Sequence, residues 1–134
     1  MNFEQQIVRF LKEKIPGLMG IYLFGSQADG TANADSDFDV AYLTERPEKR
    51  DALANFHLAV ELGTLLGGSV DLIDLQNAST DFRFVIISTG KRLFCSSEYF
   101  CDFFEMTAYS MYQRFEEERK PIIEDIKKRG SIYG

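Results

Sequence analysis

The stretch GIYLFGSQADGTANADSDFDVAYL, residues 20–43, decides how the chain is read. Its first part, residues 20–25, is a short apolar run bounded by glycines, the signature of a buried strand. Residues 26–36 are polar, small and turn-rich, and can open with one helical turn before looping. Residues 37–43 read as a second strand. Alternate residues of a strand share a face, so Asp37 and Asp39 point one way, with Ala41 beyond them. Phe38, Val40 and Tyr42 then point into the core. The apolar alternation is intact, and two carboxylates are set side by side just past a Gly-Ser turn.

Upstream, Phe3, Ile7, Phe10, Leu11 and Lys14 fall near helical spacing, and Pro16-Gly17 stop that helix. Downstream, the TERPEK segment (residues 44–49) is a solvated connection. Residues 48–66 have a helical pattern in which Leu53, Phe56, Val60, Leu62, Leu65 and Leu66 line one broad face, ended by Gly67-Gly68. SVDLIDL (residues 69–75) is a third strand. Val70 and Leu72 share one face, and Asp71 and Ile73 the other, which makes Asp71 a candidate third carboxylate. Residues 77–90 read as a short helix capped by Asn77 or Ser79, and residues 91–94 as a brief extended piece. Residues 96–129 are helical, with a break or kink expected at Pro121, and the last residues form a loose tail. This order predicts a single domain over residues 1–134 with its core at about 20–94. It is a small α/β (α+β) fold, a mixed sheet packed with helices and ending in long C-terminal helices.

The composition narrows the function classes. The chain has 134 residues, 45% of them hydrophobic, enough for a real core, and a formal net charge of -6. No basic stripe marks it as a direct nucleic-acid binder. Cys95 and Cys101 match no zinc spacing and read as free thiols of a reducing cytosol. The amphipathic N-terminus lacks the apolar core of a signal peptide, and no run approaches the roughly 20 apolar residues of a membrane span. The expected location is cytoplasmic.

Crowded carboxylates repel one another unless a cation compensates. Mg²⁺ suits hard oxygen ligands and is commonly shared between carboxylates and phosphate oxygens. Two such ions can clamp the attacking and leaving oxygens of a phosphoryl or nucleotidyl transfer. Gly25 permits close backbone approach to phosphate, and the Ser26 hydroxyl with nearby amides favours an anion. Taken alone, DSDFD also fits a solvated, aggregation-resistant strand edge, and Gly-Ser also fits a plain turn. Their joint occurrence with the later VDL strand favours the functional reading.

Gly25-Ser26, ten intervening residues, then Asp37-Phe38-Asp39 resembles the GS-x10-DxD signature of the nucleotidyltransferase superfamily related to DNA polymerase β. The short length and VDLIDL resemble its minimal nucleotidyltransferase branch, many of whose members are antitoxins encoded beside a HEPN-domain ribonuclease toxin. The resemblance covers about residues 20–94. It implies that Gly25 and Ser26 bind the β- and γ-phosphates of ATP. It implies that Asp37, Asp39 and Asp71 form the catalytic, metal-binding triad for two Mg²⁺ ions, with Asp71 helping to deprotonate the incoming hydroxyl. Asp74 is a weaker alternative on the Val70 face. One departure stands out: many relatives carry arginine in the turn, whereas this chain has Gln27 and Asp29. The implied function is transfer of AMP to a tyrosine of the HEPN toxin within a hetero-oligomer. The alternatives are a non-enzymatic antitoxin that masks its toxin, and an enzyme with an aminoglycoside-like small-molecule acceptor.

Other residues read more plainly. His57, the only histidine, fits a helix surface or a satisfied core site better than a base. Lys91 and Arg92 fit a solvated turn better than phosphate ligands, and Arg83 has the same ambiguity. Tyr99, Phe100, Phe103, Phe104, Met106, Tyr109, Met111, Tyr112 and Phe115 are too many for one narrow stripe. Core packing accounts for most, and a partner surface for the remainder.

Overall fold

The computed structural model describes residues 1–29, 37–46 and 51–133. Residues 30–36 of the expected polar loop, residues 47–49 of the 44–49 connection, the start of the second long helix at 48–50 and the end of the tail at 134 lie outside the described residues. The elements run α1 (Phe3–Lys14), β1 (Leu18–Phe24), α2 (Ser26–Asp29), β2 (Phe38–Thr44), α3 (Ala52–Leu66), β3 (Val70–Asp74), a 3₁₀ turn (Leu75–Asn77), α4 (Thr80–Thr89), β4 (Lys91–Cys95) and α5 (Glu98–Tyr133). The strands form one sheet in the order β3-β2-β1-β4. β1 is antiparallel to both β2 and β4, and β2 and β3 are parallel, so the sheet is mixed. A parallel pair needs a crossover, and α3 supplies it.

Local chemistry explains the boundaries. Asn2 caps α1 through a reciprocal pair of bonds: Gln5 N donates to Asn2 Oδ1 at 2.9 Å and Asn2 N to Gln5 Oε1 at 3.2 Å. Asp51 caps α3, and Gly67 ends it with φ of 77°, a left-handed conformation that favours glycine. Ser79, not Asn77, caps α4.

Both faces of the sheet are covered. Ile7, Leu11 and Ile15 of the α1 segment and Ala59 and Leu62 of α3 pack with Ile21, Leu23, Val40, Tyr42 and Leu72 on one face. Tyr22, Phe24, Ala41 and Leu43 meet Leu75, Ile86 and Cys101 on the other. The fully buried aliphatic side chains contribute about 1.5–3 kcal/mol each. This corrects the picture of a sheet with one apolar and one acidic face. The face that carries Asp39 is itself core further along β2, where Ala41 and Leu43 are buried. Strands covered on both faces read as continuous apolar runs rather than clean alternation.

Three further expectations are corrected. Of the six residues expected on the buried face of α3, Leu62 is buried and Leu66 packs against the core, but the other four face outward: Leu53 is 59%, Phe56 61%, Val60 51% and Leu65 50% exposed. The buried side of α3 consists of small or compact residues, Ala59, Leu62 and Gly63, because the helix lies close to the turn before β3. A Cβ on Gly63 would crowd the Gly68 carbonyl oxygen. Second, α5 runs unbroken through Pro121 for 36 residues, about 54 Å. Residues 121–130 are exposed, so water can satisfy the carbonyl that the proline leaves without its helical donor. Third, Cys95 and Cys101 are joined as a disulfide. The tight turn from β4 into α5 sets their Cα atoms 6.5 Å apart, within disulfide reach. Among the described residues, no helix is long and apolar enough to cross a membrane.

Candidate active site

The site forms where β1 ends and β2 begins. β1 delivers Phe24 opposite Asp39, and the chain then turns at Gly25 into the single-turn helix α2, where Ala28 N donates to the Gly25 carbonyl at 3.1 Å. Gly25 has φ of 71°. A Cβ placed there would overlap Asp39 Oδ2, so the carboxylate lies directly over the glycine. Glycine is therefore required twice, by its conformation and by the close approach of the carboxylate.

The parallel register pairs Asp39 with Asp71 and Ala41 with Ile73. Asp39 and Asp71 thus project side by side from neighbouring strands, as the alternation predicts. Asp37 precedes β2 and is exposed, Asp71 is exposed, and Asp39 and Ser26 are half-buried. Burial first, and then the charges of Asp71 and Asp37, push the Asp39 carboxyl above its ordinary pKa. Asp39 thus feels the charge of both other carboxylates. Among the described residues, no group of three or more His, Cys, Asp or Glu side chains is placed so that it could hold a metal ion by itself. The arrangement is an open edge of carboxylates beside a glycine turn.

Two hydrogen bonds hold β3 in this register. Asn55 of α3 donates from Nδ2 to the Leu72 carbonyl at 2.8 Å and accepts at Oδ1 from the Tyr42 hydroxyl at 2.9 Å. Asn55 belongs to no motif; its signal in the sequence is that it is the one side-chain amide of α3.

The alternative residues have structural work. Asp74 accepts from Gln76 N at 3.1 Å and from Asn77 Nδ2 at 2.6 Å, so it caps the 3₁₀ turn. Arg83 donates from Nε to the Leu75 carbonyl at 2.8 Å and from its guanidinium to that of Gln76. Lys91 and Arg92 lie in β4, not in a turn. Lys91 pairs with Glu4 at 2.9 Å, and Arg92 with Asp102 at 2.8 Å and with Glu105. His57 is exposed on α3 beside Phe56.

A glycine-turn, DxD and third-strand carboxylate on a four-stranded mixed sheet define a nucleotidyltransferase, and the chain belongs to that family: residues 5–99 match the one described as polymerase beta, nucleotidyltransferase. Its likeness to particular members reaches nearly end to end. It is 37% identical over 123 residues, 92% of this chain and 86% of the other, to the protein adenylyltransferase MntA of Shewanella oneidensis. A solved chain from a toxin–antitoxin with AMP-PNP superposes with a TM-score of 0.84 at 37% identity, covering 92% of this chain and 98% of that one. Another, from a tri-AMPylated Shewanella oneidensis HEPN toxin in complex with MNT antitoxin, gives 0.78 at 34% identity, covering 93% and 96%.

Proposed function

We propose that this chain is a cytoplasmic antitoxin that transfers AMP from ATP, with Mg²⁺, to a tyrosine hydroxyl of a HEPN-domain ribonuclease toxin and so silences it. The observation that carries the reading is the seating of the Asp39 carboxylate against Gly25, with Asp71 in register beside it. Phosphate and carboxylate sites then share one wall. The names of the relatives supply the acceptor class.

The donor set fits a hard divalent cation. Its ligands are all carboxylate oxygens, and Asp39 carries a charge that burial first, and then Asp71 and Asp37, penalise. Asp37, Asp39 and Asp71 would hold two Mg²⁺ ions, which supply charge neutralisation around the phosphates. Gly25 and Ser26 hold the β- and γ-phosphates and leave the α-phosphate beside Asp39. The acceptor oxygen forms a bond to the α-phosphorus, the bond to the bridging oxygen breaks, and pyrophosphate leaves. Asp71 takes the proton of the incoming hydroxyl.

The test is transfer of α-labelled AMP to the HEPN protein encoded beside this chain. Asp71→Asn should cut labelling by about 10²-fold or more while leaving the complex intact. Unchanged labelling would remove Asp71 from the mechanism.

A second mode, masking by binding, is favoured by the outward apolar side chains of α5. Tyr99 is 81%, Phe103 56% and Met106 61% exposed. If these cover the toxin, Phe103→Glu with Met106→Glu abolishes complex formation without lowering the melting temperature. A complex of undiminished affinity would remove this surface from the account.

A further inference from the structure

We propose that Phe82 is the platform on which the base of the donor nucleotide stacks; the inference rests on the nucleotidyltransferase reading above. Phe24 is the cross-strand partner of Asp39 and the residue before Gly25, so its ring and the Asp39 carboxylate leave the same face of the sheet. Phe82, in the first turn of α4, meets that ring edge-on, with centroids 5.9 Å apart and planes at 86°. Phe24 is 8% exposed and Phe82 37%. The inner ring is therefore fixed by the core, and the outer ring, packed on the residue that stands opposite Asp39, keeps open surface.

That placement suits the base better than the phosphates. A nucleotide held by its triphosphate at Gly25-Ser26 and by its α-phosphate at Asp39 extends its base away from the glycine turn, over the same face of the sheet. An aromatic side chain backed by a second ring presents a preorganised apolar surface there. The carboxylate next in sequence, Asp81, is engaged by Arg119 at 3.7 Å, so the platform is not flanked by an uncompensated negative charge. Val85, one turn further along α4, is also exposed and extends the apolar surface. Gln27 and the other residues of the turn supply no cation, which leaves base stacking as a source of donor affinity that does not depend on arginine.

The full chain contains no tryptophan, so F82W introduces a lone indole at the platform, excited selectively over the tyrosines at the red edge of absorption. Titration of F82W with Mg-ATP should quench its emission, whereas Mg-tripolyphosphate, which has phosphates and no base, should leave it nearly unchanged. Phe82→Leu keeps apolar packing on Phe24 but removes the ring. It should raise the Kd for ATP roughly 10-fold and leave that for tripolyphosphate unaltered, at an unchanged melting temperature. Phe82→Tyr should bind ATP like the wild type. Equal ATP affinity in Phe82→Leu and wild type overturns the platform, as does equal weakening of ATP and tripolyphosphate. Wild-type chain that binds neither ligand overturns the nucleotidyltransferase reading itself, and the platform with it.

Discussion

At the scale of single residues, the site is a balance between crowding and compensation. The raised pKa of Asp39 means that the folded chain holds this proton more tightly than the unfolded chain does. Stability linked to that group is fully present below the ordinary carboxylate value and is lost as the pH rises through the folded value. At neutral pH without divalent cations, ionised Asp39 is therefore a burden. Asp39→Asn should melt higher than wild type in chelator at pH 7, and the gap should close on acidification below the usual carboxylate range. Mg²⁺ should narrow the gap at pH 7 by stabilising the wild type. A lower melting temperature for Asp39→Asn in chelator would show that the carboxylate is not strained. Gly25 makes the complementary point. Gly25→Ala places a side chain at φ of 71° and displaces Asp39. It should cost about 1–2 kcal/mol in thermal or denaturant unfolding and lower transfer by about 10²-fold. The juxtaposition of Gly25 and Asp39 was legible because Gly-Ser and DxD are recognisable in residue type and spacing. Phe82 was not, because its place beside Phe24 depends on how α4 crosses the sheet.

At the scale of elements, strand alternation located Asp71 correctly, and the parallel register then set it beside Asp39. Periodicity served α3 only in part. Its sequence is apolar on several sides, so periodicity did not single out one buried face: Leu62 is buried, while Leu53, Phe56, Val60 and Leu65 are exposed. What fixes α3 is the surface of Ala59, Leu62 and Gly63 and the amide of Asn55. Asn55→Ala removes the bond to the Leu72 carbonyl and should destabilise the fold by about 1–3 kcal/mol. It should also slow transfer, because β3 carries Asp71. Full activity in Asn55→Ala would detach the register of β3 from catalysis. The short turn from β4 to α5 was equally hidden, since six residues of sequence separation do not reveal whether two cysteines face each other. Unreduced, denatured protein should take up no thiol-alkylating reagent at Cys95 or Cys101, whereas two adducts would show free thiols.

At the scale of the whole molecule, the two-sided sheet leaves its catalytic edge open and its longest helix projecting. Ile122 and Ile126 on α5 are 63% and 62% exposed. Their replacement together by Glu should change stability by no more than about 0.5 kcal/mol each, because neither belongs to the core. A larger loss would mean that the far end of α5 folds back onto the domain. The acidic balance of the chain, with a sequence pI near 4.8, agrees with a protein that meets phosphate through cations rather than through a basic surface.

The central claim is that one wall, Gly25 and Ser26 with Asp37, Asp39 and Asp71, performs nucleotidyl transfer to a protein hydroxyl. The most direct measurement combines the purified chain, Mg²⁺, ATP and the neighbouring HEPN protein, with intact mass as the readout. The account predicts mass increments of AMP on the HEPN protein with wild-type chain and none with Asp37→Asn/Asp39→Asn. Absence of increments with wild type, or equal increments with the double variant, would contradict it.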